Sequence, residues 1–467
     1  MTDEASDSPP EESDSPPEER FPELAALCRG HPLTYAGYRV AYLKHHNRNI
    51  SEADEIPFVT SVLFPIAILG YLTLARVRHL LDVLRGSATA WDLGSDDHVF
   101  VMSSTRGYRS RTFLELADAV RERGERAVLL CSPAATDDRD DWEDRGFETV
   151  THRELHGRVG VLNGLYGALH SVLVTARLRR IDDPAVRSGT FALVYNFVLL
   201  EHVKREGVRP LTREDPSVHT FSPMPYLLTS TSPERVFAYQ HGLQQPLGDK
   251  IMALPFFAPF TLLIWGDPWR DTFRPHVHSE AEIRVVGSPW YEYLAEKRDP
   301  DRECPYDVLF ISASHGLTDP EIEAAFESLA ETLVDTCERQ GYSLAVKLHP
   351  LEDADWYEAR GWGEYVVTFD DIDDALLDSR VSVTNASTAF VESAVLGVPV
   401  LVTDLWEHGL NSLAPVDYVR FADVDEVPAA IDSAVNGDEF TADDSRSLVV
   451  TDETVERTLA VVDERRS

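Results

Sequence analysis

The sequence predicts an α/β fold made of two Rossmann-like, doubly wound units behind an N-terminal helical extension. Three observations carry this reading. Short apolar runs of strand length alternate with amphipathic runs of helical period, as in the β–α–β units of parallel sheets. The alternation starts near residue 96, pauses near residue 293 and then restarts. At 467 residues with 43% apolar content, the chain exceeds what one core usually serves.

The elements follow in order. Residues 1–20 are acidic and proline-rich, which reads as a disordered tail. Residues 21–95 read as helical. They contain "IPFVTSVLFPIAILGYLTLA", residues 56–75, twenty residues without a charge, followed at once by Arg76, Arg78 and His79. That length matches the roughly 20 apolar residues of a bilayer span. Pro57, Pro65 and Gly70 interrupt it, so a buried helical hairpin is the plainer expectation, with peripheral membrane contact through residues 56–75 as the alternative.

The first Rossmann-like unit is expected over residues 96–292. "HVFVMSS" reads as a strand, "TFLELADAVRERG" as a helix ended by Gly124, and "RAVLLCSP" as the next strand. Helical stretches are expected over 159–180 and 190–206, and strands at "SVHTFS", "RVFAYQHG", "TLLIWGD" and "EIRVVG". The second unit, residues 293–467, opens with the strand "YDVLFISASHG". A long helix ending at Gly341 follows, with Pro320 in its first turn. "YSLAVKLHP", "EYVVTFD", "VSVTNAS" and "PVLVTD" read as further strands.

Charge narrows the function classes. Eighty acidic residues oppose 43 basic ones, for a formal net charge of −37, and the chain holds five lysines. Acid spread along the whole length suits a salt-rich cytoplasm, where screening weakens self-repulsion. Nucleic acid is excluded as an expected partner, because a phosphate backbone needs a basic stripe. The four cysteines form no close pair, as expected of reduced thiols inside a cell. With no HExxH, Cys/His set or Walker A sequence, neither a metal nor an organic cofactor is expected.

Ligands of open parallel sheets bind beyond the carboxyl ends of the strands. The segments expected there are "SSTRGYRSR", "QHGLQQPLGDK", "GDPWR", "GSPW", "SASHG", "KLHP" and "NAST". In "NAST", Asn385 or Ser387 would cap the next helix, whose N-terminal dipole favours an anion. Ser387 and Thr388 add hydroxyl donors. Glu392, four residues after Thr388, shares its face and would accept from ribose hydroxyls. Lys347 and His349 alternate onto one side of their strand end. His241, beside Gly242, would stabilise a leaving phosphate or move a proton. His315 in "SASHG" is a further candidate on the phosphate side. A capped crossover, a surface glutamate and structural histidines are the plainer readings of the same residues.

Together "TNASTAFVESAVLGVPVL", the preceding "KLHP" and the earlier "AYQHGLQ" resemble the GT-B superfamily of nucleotide-sugar enzymes. The nearest branches are CDP-glycerol glycerophosphotransferase-like and capsule-polysaccharide transferases. The resemblance implies two Rossmann-like domains, with the nucleotide held mainly by the second. His241 and His349 would then touch the donor phosphates as the catalytic pair, Ser387 and Thr388 would bind the diphosphate, and Glu392 the ribose. The implied activity is metal-independent transfer of a sugar or polyol phosphate from a nucleotide-activated donor to a surface or lipid-linked glycan, at the cytoplasmic face of the membrane. "QHGLQQPLGDK" departs from the "WHG" and Thr-Pro-Leu-Lys pattern of the glycerophosphotransferases, which leaves the match of Lys250 open. UDP-N-acetylglucosamine 2-epimerases share the serine-rich turn, the acidic residue and "GVPVL", but "STRGYRSR" stands where they show "GTRPE". A GT-B-like protein that binds a nucleotide without turning it over is the third reading.

Overall fold

The computed structural model describes residues 98–102, 108–131, 139–151, 209–213, 237–240, 261–274, 277–313, 320–349, 352, 354–385, 387–405, 413, 416–437 and 447–464, with helical positions at 73–74, 77–78, 80–81 and 84. The tail, the expected helices over 159–180 and 190–206 and the expected strand "SVHTFS" lie outside these residues.

Two all-parallel sheets form the frame. The first has the strand order β3-β2-β1-β4-β5-β6-β7. Its strands are β1 (His98–Met102), β2 (Ala127–Cys131), β3 (Glu148–Thr151), β4 (Arg209–Arg213), β5 (Phe237–Tyr239), β6 (Thr261–Ile264) and β7 (Glu282–Val285). The second has the order β12-β11-β10-β8-β9. It is built from β8 (Tyr306–Ile311), β9 (Leu344–Lys347), β10 (Ser379–Thr384), β11 (Val400–Val402) and β12 (Val419–Phe421). Both orders reverse direction partway, between β1 and β4 in the first sheet and between β8 and β10 in the second. Such a reversal is the topological switch point where doubly wound sheets leave a crevice. The expected α/β class with two parallel, doubly wound units is the observed one.

The helices needed here are α1 (Tyr108–Glu122), α2 (Arg139–Asp144), α3 (Pro268–Phe273), α4 (Pro289–Glu296), α5 (Pro320–Gln340), α6 (Asp355–Glu358), α7 (Ile372–Leu377), α8 (Ala389–Leu396), α9 (Val427–Val435) and α10 (Thr454–Glu464). Alternation along β8 divides the core of the second unit. Val308 and Phe310 join the cluster that packs on α5 and α9. Leu309 and Ile311 join a larger cluster shared with the first sheet. The expected strand "EYVVTFD" forms instead a 3-10 turn over Gly363–Tyr365 and a single bridge from Val366 to Val346. Tyr365 is drawn away to the Glu338 carboxylate, 2.9 Å from its hydroxyl.

The units are joined by the end of the chain. Residues 447–464 return to the first sheet, where α10 packs on α1 and α4. The Trp269 indole donates to the Leu448 carbonyl at 2.7 Å, and the Val450 amide to the Trp265 carbonyl at 2.9 Å. The Glu292 carboxylate accepts from the Thr454 amide at 3.1 Å. Trp269 in turn faces Phe390 of α8, ring centroids 6.4 Å apart. This return covers the ends of β6 and β7. "GDPWR" and "GSPW", expected to border a ligand, are therefore packed against residues 448–454.

The glycines at these two strand ends are needed for the approach. A Cβ on Gly266 would stand 2.4 Å from the Leu448 carbonyl oxygen. One on Gly287, at φ +80°, would stand 2.3 Å from that of Val450. Gly287→Ala adds this overlap, about 1–3 kcal/mol, to a left-handed backbone cost of about 1–2 kcal/mol. Gly124→Ala, also left-handed but with nothing within 4 Å of the new Cβ, carries only the backbone cost. Urea melts followed by tryptophan fluorescence should place Gly287→Ala well below Gly124→Ala.

Candidate functional site

The site begins from register. In the second sheet Thr384 pairs with Ile311, and Ile311 pairs with Lys347. The carboxyl ends of β10, β8 and β9 therefore stop on one line. Strand spacing sets Thr384 and Lys347 about 10 Å apart across β8. Everything that follows these strands emerges at the same edge: Asn385, Ser387 and Thr388 after β10, Ser312 after β8, and Leu348 and His349 after β9.

β10 feeds directly into α8, and the junction is tightly held. Ser382 on the strand and Ser393 on the helix share a hydroxyl hydrogen bond of 2.6 Å. The Thr403 amide donates to the Thr384 carbonyl at 2.9 Å. The helix is buried over most of its surface and ends at Gly397, which has φ +72°. A Cβ there would stand 2.6 Å from Nε of Arg298.

At its start, the amides of Ala389, Phe390 and Val391 are already used. They donate to Ser387 Oγ at 3.3 Å, the Ser387 carbonyl at 3.2 Å and the Thr388 carbonyl at 2.9 Å. Ser387 thus supplies the capping hydroxyl, and the anion-facing donors shift one step back. Among the described residues, the amides of Ser387 and Thr388 and the Thr388 hydroxyl have no hydrogen-bond partner.

Asn385 stands immediately before this turn. It is 2% exposed, and neither its amide nitrogen nor its amide oxygen has a partner among the described residues. It therefore does not cap the helix. Leaving a carboxamide so placed costs about 1–3 kcal/mol per unsatisfied group. Nothing in the residues 379–397 distinguishes this state from an ordinary cap, because a missing partner has no sequence pattern. Glu392, in the first turn of α8, is also buried.

On the far side of the switch point, Ser312 is buried and accepts from the Tyr357 hydroxyl at 2.9 Å, while its amide donates to the Lys347 carbonyl at 2.9 Å. Lys347 is half-buried. Burial lowers its pKa below the ordinary lysine range, and the Asp371 carboxylate pulls the other way. His349 is half-buried, with its backbone amide on the Glu352 carboxylate at 2.8 Å.

The structure thus brings Lys347, His349, Asn385, Ser387 and Thr388 to one sheet edge, with Glu392 one turn further along α8. His241 and His315 lie outside the described residues. Gln240, which the sequence reading passed over, sets where the chain leaves β5. Its side chain accepts from the Trp265 amide at 3.0 Å, and its carbonyl accepts from the Trp265 indole at 2.9 Å. A pocket of about 250 Å³ at the opposite end of α8, bordered by Arg298, Val395, Tyr418 and Val449, is separate from this edge.

No family model matches the chain, and no curated protein matches it. Solved structures are similar in fold. A provisionally assigned UDP-N-acetylglucosamine 2-epimerase from Listeria monocytogenes is 12% identical, with 79% of this chain and 96% of that chain covered and a TM-score of 0.50. The chain is also similar to a TarM variant from S. aureus in complex with UDP, at 11% identity, coverage of 78% and 99%, and a TM-score of 0.47. MurG from Acinetobacter baumannii is similar at 14% identity, 79% and 99% coverage and a TM-score of 0.39. At these identities the likeness concerns the fold alone. The chain has a GT-B-like arrangement of two Rossmann-like units.

The unsatisfied carboxamide makes a direct expectation. Asn385→Leu keeps a similar branched shape and removes both orphaned polar atoms, so the unliganded protein should gain about 1–2 kcal/mol in stability. A thermal melt that falls rather than rises would show that Asn385 is satisfied in the unliganded protein.

Proposed function

We propose that the chain is a GT-B transferase that takes a sugar or polyol phosphate from a nucleotide-activated donor and passes it to a glycan or lipid-linked acceptor. The observation that carries the reading is the buried, unpartnered Asn385 amide. It lies beside the amides of Ser387 and Thr388, which have no partner among the described residues, at the switch point of the second sheet. A carboxamide and two N–H groups at a helix entrance suit the oxygens of a diphosphate. Lys347 supplies the nearby positive charge. Glu392 remains the carboxylate assigned to the ribose hydroxyls, and His349, with His241 from the first unit, to the donor phosphates.

In the transfer, the bond from the transferred carbon or phosphorus to the leaving oxygen breaks, and the nucleotide leaves with the electron pair. The acceptor oxygen forms the new bond and gives up its proton. Donors held in place before the reaction stabilise the charge that collects on the departing phosphate, without reorganising.

Binding tests the site first. UDP, CDP, CMP, GDP and CDP-glycerol are each added in a thermal-shift series. A cognate nucleotide at 100 times its Kd should stabilise the protein by about 2.7 kcal/mol. Asn385→Leu should keep its own raised melting temperature and lose most of the added shift. If none of the nucleotides shifts the wild type, the reading fails. Turnover then separates the chemistries: a transferase consumes its donor only with an acceptor present, whereas an epimerase interconverts it alone.

Lys347 gives the pH dependence. Its folded pKa is depressed, so the ammonium weakens the unliganded fold at pH values below that pKa, and the cost disappears above it. A bound diphosphate favours the ammonium and reverses the sign. Nucleotide affinity should hold at lower pH and decline as pH rises through the Lys347 pKa, starting below the usual lysine value of about 10.4. Calorimetric titration across the alkaline range should show this limb in the wild type and not in Lys347→Met.

A further inference from the structure

The start of α7 is strongly acidic. Asp370 and Asp371 precede it, and Asp373 and Asp374 lie in its first turn. In a chain with five lysines, two of them meet this stretch. Lys297, just past α4, holds Asp373, whose side chain is only 4% exposed. The Lys297 ammonium also lies over the Tyr293 ring, 4.6 Å from its centroid, and the Arg111 guanidinium stands 3.5 Å from the same centroid. A buried carboxylate needs such a partner. The pair ties α7 to α4, which packs on α1 of the first unit. The position of α7 is thus fixed from outside its own sheet.

Lys347 is the second lysine. Alternation along β9 puts it on the same face as Ala345. Ala345 shares its apolar cluster with Ala375 and Leu376 of α7, so Lys347 leaves the sheet on the side where α7 lies. The segment that leads into α7 starts alongside the same strand. Val366 bridges Val346, and the Val367 amide donates to the Val346 carbonyl at 3.0 Å. Four residues on, Asp371 takes the N-cap position in extended backbone, φ −131° and ψ 171°, and its carboxylate makes no cap bond. Asp371 supports the charge of Lys347 against the cost of burial. Other ionisable groups on the neighbouring elements are engaged elsewhere. Asp373 is held by Lys297, the Glu352 carboxylate accepts from the His349 amide, the Tyr357 hydroxyl donates to Ser312 and that of Tyr365 to Glu338. Burial, with Asp373 beside it, raises the pKa of Asp374. Asp370, Glu364 and the His349 ring complete the set among the described residues.

We propose that Asp371 is a positioning residue of the donor site: its carboxylate draws the Lys347 side chain onto the start of α7 and keeps it an ammonium ion for the donor phosphates. This role rests on the reading of Lys347 as the positive charge beside a diphosphate. Asp371 then acts with opposite sign at the two ends of the pH range. Near neutral pH it is a like charge to the diphosphate and opposes it. At alkaline pH it preserves the cation that attracts the diphosphate.

The test uses the full chain and Asp371→Asn, which keeps a capping side chain at an exposed position. Labelled at its lysine side chains, the protein gives at most five ε-resonances, and that of Lys347 is the one missing from Lys347→Met. Followed by NMR without ligand, the Lys347 titration midpoint should fall in Asp371→Asn and stay in place in Asp370→Asn. Calorimetry then uses whichever of UDP, CDP, CMP, GDP and CDP-glycerol gives the largest thermal shift. Asp371→Asn should bind it as tightly as the wild type, or up to about twofold tighter, near pH 7, and about threefold or more weaker near pH 9.5. On a Lys347→Met background the alkaline loss should vanish. Equal weakening at every pH would leave Asp371 a merely structural role and overturn the proposal. A nucleotide that binds while the Lys347 midpoint stays put overturns the pairing and leaves the site reading standing. A midpoint that falls in a protein binding none of the five overturns the site reading, and the donor role of Asp371 with it.

Discussion

The placement of the second sheet's strand ends rests on one constraint, the parallel pairing of β8 with both β9 and β10. Ile311 is the shared partner of Thr384 and Lys347. A slip of one residue on either side would turn each strand's faces over. It would send Phe310 and Val383 out of their clusters and also separate the two chain exits that flank the switch point. The apolar alternation that buries the strand is thus the same pattern that positions the polar edge. Core and site are set by one register.

The second constraint is the returning C-terminal segment. It fills the space beyond β6 and β7, where two glycines let backbone meet backbone. It also holds Trp269 against Leu448 while the same indole faces Phe390 of α8. The helix that begins at the candidate turn is therefore braced from the first unit as well as from its own sheet. Arg111 on α1 adds to this brace, stacking 3.5 Å from the ring of Tyr293 on α4. Just past the end of that helix, Lys297 holds Asp373 of α7 at 2.5 Å. That carboxylate is almost wholly buried, so the pair helps fix α7 under α8.

Much of this fold is legible in the sequence, because buried parallel strands read as uninterrupted apolar runs between helices of strong period. β1, β2, β5, β6, β8, β9, β10 and β11 all stand where such runs stand. β3 and β12 are short and half polar, and β4 contains Pro210, which argues against a strand that has neighbours on both sides. "EYVVTFD" has the composition of a strand, but side-chain bonds decide its path. At the candidate site, the residue types at the strand ends are readable from spacing alone. Three facts are not: the coverage of "GDPWR" and "GSPW" by distant residues, the use of the first helical amides within the turn, and the isolation of the Asn385 amide. Each depends on what lies opposite in space.

The return of residues 447–464 has a consequence for biosynthesis. Ribosomes make this segment after the whole second sheet, yet it lies over the first sheet, which emerges before it. The first unit leaves the exit tunnel with Trp265, Trp269 and the face of α1 uncovered, and it stays so until residues 447–464 have followed. Long-range closure of this kind is slow and exposes apolar surface to other nascent chains. Products that stop before residue 447 would therefore leave the first unit incomplete, and chaperone occupancy on it should persist until residues 447–464 have emerged.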